Sequence, residues 1–112
     1  MDIEIRTLLD DILNAIAEID SFFGDVPKDF VAFQNDLKTI RAVERDIEII
    51  GEAMDRILQR DDSIQLSNSA EIIDRKDSII HGDDSISDEI IWGIVTNYLP
   101  ILKIEIEKLL DQ

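Results

Sequence analysis

The chain has 112 residues, no cysteine, and a formal net charge of −15 at pH 7. This length suits one compact domain, and 45% hydrophobic residues are enough to build its core. The lack of cysteine excludes disulfides and thiolate chemistry, and the acidic balance argues against broad, non-specific binding of polyanions. No apolar run approaches the roughly 18 to 20 residues of a membrane span, and the first residues lack a basic secretory signal. We therefore expect one domain over residues 1–112, in a soluble protein of the cytoplasm.

The first predicted helix extends from about Asp2 to Phe23. Its apolar residues recur every three or four positions and so share one stripe: Ile5, Leu8, Leu9, Ile12, Ile16, Ile19 and Phe23. Gly24 can end this helix in a left-handed conformation, and Pro27 discourages continuation. The next segment, Lys28 to Gln34, carries two phenylalanines at helical spacing. It predicts a short helix packed on the core.

A second long helix follows, which Asn35 or Asp36 can cap. Its apolar stripe alternates spacings of three and four: Ile40, Val43, Ile47, Ile50, Met54 and Ile57. Such a pattern predicts close packing along a partner helix. Gly51 lies inside this helix, where glycine costs about 1 kcal/mol relative to alanine, and this indicates a close helix crossing. The neighbouring Glu52 is equally compatible with a solvated face position.

The longest candidate linker extends from Gln59 to Ser69, and its last three residues can cap a third helix. The apolar residues of that helix are Ile72, Ile73, Ile79 and Ile80. The segment Gly82-Asp83-Asp84-Ser85 then forms a stop signal.

The fourth helix starts at Ser87 and should be kinked by Pro100. Its apolar set is too wide for one stripe: Ile90, Ile91, Trp92, Ile94, Val95, Tyr98, Leu99, Ile101, Leu102, Ile106, Leu109 and Leu110. Such a helix buries more than one face, at the centre of a bundle or at a dimer interface. With no β-type alternation, the predicted class is all-α, an antiparallel four- to five-helix bundle that self-associates.

His81, the only histidine, lies six positions after Arg75. On an unbroken helix the two side chains would point about 120° apart, so they converge only if the helix ends near His81, which Gly82 permits. Together they could hold a phosphate and move a proton, as metal-free ribonuclease chemistry with the RNA 2′-hydroxyl as nucleophile requires. The alternative is a histidine that only caps the helix C-terminus.

Metal sites have little support in this sequence. One histidine and no cysteine suit zinc badly. Asp61-Asp62 and Asp83-Asp84 lack the spacing of a calcium loop. We expect neither a metal nor another cofactor.

Three stretches together, in this order and at these intervals, resemble the HEPN superfamily and its HepT-like proteins. They are Ala42-Val43-Glu44-Arg45-Asp46-Ile47-Glu48-Ile49-Ile50-Gly51-Glu52-Ala53, Arg75 through His81-Gly82, and Ile90-Ile91-Trp92-Gly93-Ile94-Val95 leading into Leu99-Pro100-Ile101-Leu102. The resemblance implies a helical homodimer in which an Arg-x4-6-His motif from each protomer meets near the dimer cleft. It also implies a toxin that cleaves RNA without metal and is paired with a minimal nucleotidyltransferase as antitoxin.

Carried over, the resemblance makes His81 the catalytic acid and base and Arg75 the residue that binds or orients phosphate. It makes Glu52 a polar neighbour of the cleft. The usual pattern, Arg-Asn, three residues, His, one residue, Tyr, places Lys76 at the Arg, Asp77 at the Asn and Asp83 at the Tyr. In the family, the antitoxin adenylylates that tyrosine. This chain has Asp83 at the position, so the same modification cannot occur there.

Two hypotheses follow from this pattern. In the first, the chain is a dimeric ribonuclease toxin with Arg75 and His81 in a cleft that Glu52, Lys76, Asp77 and Asp83 also line. In the second, it is a non-catalytic HEPN protein that binds a nucleotidyltransferase or another protein. Retained Arg75 and His81 favour the first, and the three substitutions at 76, 77 and 83 favour the second.

Overall fold

The computed structural model describes residues 1–24, 28–82 and 87–112, and within these ranges the chain forms helices and no strand. The elements are α1 (Ile3–Phe23), α2 (Phe30–Gln34), α3 (Leu37–Arg60), α4 (Ser69–Ile80), α5 (Asp88–Gly93), a π-helix (Ile94–Tyr98) and α6 (Leu99–Leu110). The predicted all-α class is confirmed. Of the predicted stop signals, Pro27 and the segment 83–85 lie outside the described residues.

Helices α1 and α3 form an antiparallel pair along their apolar stripes. Asp2 caps α1 by accepting a hydrogen bond from the Glu4 backbone N–H. At this same end of the pair, the Arg60 guanidinium in the last turn of α3 lies 2.7 Å from the Asp2 carboxylate and 2.9 Å from that of Glu4. The start of α1 therefore meets the end of α3. Between them lie fully buried side chains, among them Leu9, Ile12, Ile19, Ile47, Ile50, Met54 and Ile57.

The short helix α2 packs on the core through aromatic side chains, as predicted. Trp92 of α5 contacts Phe23, Phe30 and Phe33, with ring centroids 5.8, 5.9 and 5.1 Å away. Phe33 is buried and the other three rings are half-buried. This cluster joins the end of α1 and the short helix α2 to α5, in the C-terminal third of the chain.

Gly51 marks a close crossing of α3 and α4, as its position inside the second long helix predicted. A Cβ atom on Gly51 would lie 2.6 Å from the Lys76 Cβ and 3.2 Å from the Ile72 carbonyl oxygen. Real Cβ atoms do not approach other atoms so closely, so only glycine allows the two backbones this separation.

The disruption predicted at Pro100 takes the form of a π-helix immediately before it. Proline has no backbone N–H, and its ring crowds the carbonyl four residues earlier, which is that of Thr96. The Leu99 N–H instead donates to the Ile94 carbonyl five residues back, the π-helical pattern. Pro100 itself lies in the first turn of α6, where a missing N–H is tolerated.

Helix α6 closes the bundle against α1. The Arg6 guanidinium in the first turn of α1 donates to the Leu110 carbonyl at the end of α6, at 3.2 Å, so these helices are also antiparallel. Glu105 accepts hydrogen bonds from the backbone N–H and the hydroxyl of Ser67, which anchors the α3–α4 loop. None of the described helices is both long and apolar enough to cross a membrane.

Candidate functional site

Helix α4 carries the Arg75 and His81 pair and ends where the sequence predicts. Asn68 precedes the helix in a left-handed conformation, with φ 62°, and makes no side-chain cap bond. At the other end His81 occupies the C-cap position, and its N–H donates to the Asp77 carbonyl. Gly82 then takes φ +66°, which terminates the helix. The His81 side chain is exposed.

Arg75 lines the mouth of a pocket of about 220 Å³ between α4 and the α5–π-helix segment. Its side chain is 34% exposed, and its one ion pair within the described residues is a 4.0 Å contact with Asp74. Exposed ion pairs of this length contribute little. The guanidinium is therefore available for an anion from solution.

A polar pair from the two walls of this pocket lies beside Arg75. Tyr98, at the end of the π-helix, donates its hydroxyl to the Glu71 carboxylate; this bond and the charge of Glu71 raise the pKa of Tyr98, and Arg75 opposes the rise. Asn97 supplies an amide, and Ile90 with Ile94 supplies apolar wall. π-helical segments often occur at functional sites because they reposition side chains that an α-helix would direct elsewhere.

Lys76 points in another direction, into the crossing of α3 and α4. Its side chain is 6% exposed, and its ammonium lies 3.1 Å from Asp77, 3.5 Å from Glu52 and 3.6 Å from Asp55. Burial disfavours the charged ammonium, but the hydrogen bond to Asp77 and the three negative charges outweigh it and raise the pKa of Lys76. Lys76 is therefore a charged structural residue at the position where the HepT pattern has its arginine.

The remaining predicted cleft residues fall on both sides of this crossing. Glu52 and Asp77 are exposed, with side chains 57% and 60% accessible, and both face the Lys76 ammonium. Glu52 is thus solvated and also pairs with Lys76 across the crossing, and its place beside a dimer cleft stays a prediction. Asp83 lies outside the described residues.

Within the described part of one chain, no hydrogen bond or ion pair joins the His81 side chain to Arg75. His81 is also absent from the described residues that line the Arg75 pocket. Their convergence, which the sequence predicted for a dimer cleft, stays a prediction. What one chain supplies is an accessible guanidinium and an exposed imidazole on one helix, the first suited to a phosphate and the second to proton transfer.

Sequence reasoning did not single out Glu71, Asn97 and Tyr98 as site residues, nor Asp46 beneath α1. The pocket residues become neighbours only when the π-helix is packed on α4, so no local spacing predicts them. For Asp46, the sequence spacing does predict a buried position. It lies three positions after Val43 and four before Ile50, both buried, so the helical period places a carboxylate on the core face.

Comparison with known proteins gives a consistent result. Residues 12–109 match the family model described as Ribonuclease HepT-like. The chain is also similar to the protein named "Putative RNase MJ0127" of Methanocaldococcus jannaschii, with 33% identity over 111 residues that cover 96% of this chain and 88% of that protein. No solved structure matches the chain significantly.

Proposed function

Because the chain belongs to the HepT-like ribonuclease family, we propose that it is a metal-independent endoribonuclease with Arg75 and His81 at a cleft between two copies of the chain. The observation that carries this proposal is the accessible Arg75 guanidinium at an open pocket, on the same helix that ends at the exposed His81.

The chemistry needs no metal because RNA carries its own nucleophile. Loss of the 2′-hydroxyl proton lets the 2′-oxygen bond to the adjacent phosphorus, and the bond from phosphorus to the 5′-oxygen breaks as that oxygen takes a proton. The products are a 2′,3′-cyclic phosphate and a 5′-hydroxyl. His81 moves the protons, because one imidazole nitrogen can accept a proton while the other donates one, and Arg75 binds the phosphate oxygens with two parallel N–H groups.

Arg75 suits this role better than Lys76. The Lys76 ammonium is buried among three carboxylates, and a phosphate could reach it only by displacing them. Arg75 has one weak partner among the described residues and faces an open pocket.

Exposed apolar side chains support the proposed dimer. Ile80, immediately before His81, is 52% exposed, and Ile101 and Ile104 of α6 are 50% and 55% exposed. Pairing two chains through such residues removes apolar surface from water and places the exposed end of α4 near an interface. This arrangement supplies two copies of the Arg75 and His81 pair to one cleft.

We further propose, on the family resemblance, that a minimal nucleotidyltransferase neutralises this chain as its antitoxin in the cytoplasm. Since Asp83 replaces the tyrosine that such a partner is thought to modify, neutralisation here proceeds by binding or at another residue. Mass spectrometry of the chain after incubation with the partner and ATP distinguishes these two routes.

The experiment that tests the ribonuclease is cleavage of total RNA and short oligonucleotides in EDTA by the wild-type chain, Arg75→Ala and His81→Ala. Arg41→Ala is the matched control, because Arg41 is an exposed α3 arginine paired only with Glu44 among the described residues. We expect losses of about 100-fold or more in the two site variants and none in the control. An oligonucleotide with a 2′-deoxy group at the cleaved nucleotide should resist cleavage.

A non-catalytic protein-binding role is the second candidate, favoured by the acidic Asp77 and the buried Lys76 at two motif positions. Under this alternative the folded wild-type dimer cleaves none of the RNA substrates, yet still binds the nucleotidyltransferase. Activity that survives in His81→Ala would overturn the proposed role of His81.

A further inference from the structure

The pocket of about 220 Å³ beside Arg75 combines opposite charges with neutral polar groups. Glu71 and Arg75 lie one helical turn apart on α4 and form one side of it, and Asn97 and Tyr98 of the π-helix contribute to the other side. Glu71 and Arg75 are the charged groups of the described lining, and their charges cancel, in a chain whose net charge is −15. This lining therefore does not repel RNA as an acidic surface does.

The rest of the described lining is apolar. Ile94 is 2% exposed and Ile90 is half-buried, and both contribute hydrocarbon surface to the pocket. Gly93 precedes Ile94, and a Cβ atom added to it would meet nothing within 4 Å among the described residues outside its own turn of helix. A ligand can therefore approach this stretch of backbone closely. An apolar wall with a few polar groups opposite is typical of a site for a small organic group.

We propose that this pocket binds the base of a nucleotide that flanks the cleaved phosphate, and that it selects adenine. The inference rests on the proposed ribonuclease, in which Arg75 holds the phosphate. In RNA a base and its phosphate are joined through a single ribose. A pocket that has the phosphate-binding guanidinium in its own lining is therefore within reach of the adjacent base.

The polar groups of the pocket match the edge of adenine. An asparagine amide can accept from the adenine N6 amino group and donate to N7, the pair of bonds by which asparagine recognises adenine in the DNA major groove. Asn97 supplies this amide. Glu71 accepts from the Tyr98 hydroxyl, and its carboxylate has further lone pairs with which to accept the second N6 hydrogen.

The other three bases fit these groups less well. Uracil has no amino group to donate to Glu71 or Asn97. Guanine carries a carbonyl oxygen where adenine carries its amino group, and the Glu71 carboxylate repels that oxygen. Cytosine has an amino group, but its single ring covers less of the apolar wall than a purine does. Adenine is therefore the base that satisfies both sides of the pocket.

The same contacts require an unpaired base. The second N6 hydrogen, which Glu71 accepts, is the one that Watson–Crick pairing uses. Tyr98 joins the two sides of the pocket through its bond to Glu71, which holds its ring in place. Aromatic rings and guanidinium planes stack on the bases of single-stranded RNA. The substrate is thus single-stranded RNA with adenine beside the cleaved phosphate.

The first test is cleavage, in EDTA, of RNA oligonucleotides that hold each dinucleotide step in one fixed flanking sequence. We expect cleavage about tenfold faster with adenine than with uracil at one of the two flanking positions. At that position 7-deaza-adenosine, which lacks N7, and purine riboside, which lacks the amino group, should each lower the rate about tenfold. A hairpin that pairs this adenine should resist cleavage.

Asn97→Ala should lower cleavage at adenine to about the level of uracil and should no longer distinguish adenosine from 7-deaza-adenosine. A variant that is only less stable would still distinguish them, so this readout separates base contact from folding. Asn97→Asp keeps an acceptor for the amino group but turns a carboxylate oxygen toward N7, so it should prefer 7-deaza-adenosine. Asn14→Ala is the matched control, because Asn14 is an exposed α1 asparagine outside the pocket lining.

An NMR titration with adenosine 3′,5′-bisphosphate separates the pocket from the ribonuclease, because this nucleotide carries both flanking phosphates and is not cleaved. We expect saturable shifts at the backbone amides of Glu71, Gly93 and Asn97, and binding about tenfold weaker with uridine 3′,5′-bisphosphate. Such binding in a chain that cleaves no RNA would overturn the ribonuclease and leave the adenine pocket standing.

Cleavage without preference for adenine would overturn the pocket and leave the ribonuclease standing. Equal binding of the two bisphosphates, or no saturable shifts at these amides, would also overturn it, as would an Asn97→Ala variant that still distinguishes adenosine from 7-deaza-adenosine.

Discussion

At the scale of single residues, the two buried ionisable side chains among the described residues have opposite surroundings. Lys76 is surrounded by Glu52, Asp55 and Asp77, so its charge is compensated inside the helix crossing. Asp46 instead faces another carboxyl group, that of Glu18, and this contact together with burial raises the pKa of Asp46. Lys76 is thus charged when buried, whereas a proton on the Asp46 and Glu18 pair relieves the repulsion between two carboxylates.

Asp46 should make folding stability depend on pH. Its pKa is raised from 3.8 to about 7, so between these values the folded state holds a proton that the unfolded state has released. Unfolding free energy therefore falls as pH rises through this window. Asp46→Asn removes the effect and should be more stable than wild type by about 1–3 kcal/mol at pH 8. The difference should shrink or reverse near pH 4.

Chemical denaturation of both proteins at pH 4, 6 and 8 measures this difference. Asp10→Asn, at an exposed position on α1, controls for the loss of one negative charge from an acidic surface. A difference between wild type and Asp46→Asn that is the same at all three pH values would contradict the assigned ionisation.

At the scale of helices, the crossing of α3 and α4 sets where Arg75 lies, and glycine makes the crossing possible. In an isolated helix Gly51→Ala would be favourable by about 1 kcal/mol. Here the new Cβ would lie 2.6 Å from the Lys76 Cβ and 3.2 Å from the Ile72 carbonyl oxygen, neither of which is the mobile end of a side chain. We expect Gly51→Ala to lower the unfolding free energy by about 1–3 kcal/mol.

Gly93 provides the matched comparison, because it is also helical and its added Cβ would meet no described atom within 4 Å. Gly93→Ala should therefore raise the unfolding free energy by about 0.5–1 kcal/mol. The two variants should move the thermal midpoint in opposite directions. Two shifts of the same sign would show that the crossing does not depend on Gly51.

The helices were largely predictable from the sequence, because capping side chains and apolar spacing, which determine them, are local features of the sequence. Asp36 and Ser87 cap α3 and α5 through their own side chains, and the apolar spacing fixes which faces are buried. The π-helix was not predicted, because spacing gives the position of Pro100 but not how the preceding turns rearrange around it. The Tyr98–Glu71 pair across the pocket depends on that rearrangement.

The candidate site was predictable only in part, for the same reason. Residue type and family resemblance predicted Arg75 and His81 as site residues. The position of Gly82 predicted that the helix ends beside His81. Arg75 and Lys76 are adjacent in sequence but have different surroundings. The reason is that neighbouring positions on a helix are rotated by about 100°. Which of the two directions faces α3 depends on packing against Gly51, which sequence spacing alone does not determine.

At the scale of the whole molecule, self-association must overcome a charge of −15 on each chain. Repulsion between two such chains is screened by salt, with a Debye length of about 8 Å at physiological ionic strength. Apolar contact supplies the attraction, and it does not weaken with salt in the same way. Dimerisation should therefore strengthen as salt is raised.

Substitution of the exposed isoleucines of α6 tests the proposed dimer. Ile101→Glu combined with Ile104→Glu would place carboxylates in an apolar interface without disturbing the core, because both side chains are at least half exposed in the single chain. We expect the wild type to scatter light as a dimer at micromolar concentration and this variant as a monomer. Val31→Glu, at a 62% exposed α2 position, should remain dimeric.

If the proposed cleft requires two chains, RNA cleavage should decline in the α6 variant although Arg75 and His81 are unchanged. Raising the protein concentration should restore part of that activity, since mass action favours the dimer. A wild type that is monomeric at micromolar concentration in both low and high salt would contradict the dimer. Full cleavage activity in a monomeric α6 variant would instead place a complete site within one chain, and Arg75 with His81 would then have to converge within that chain.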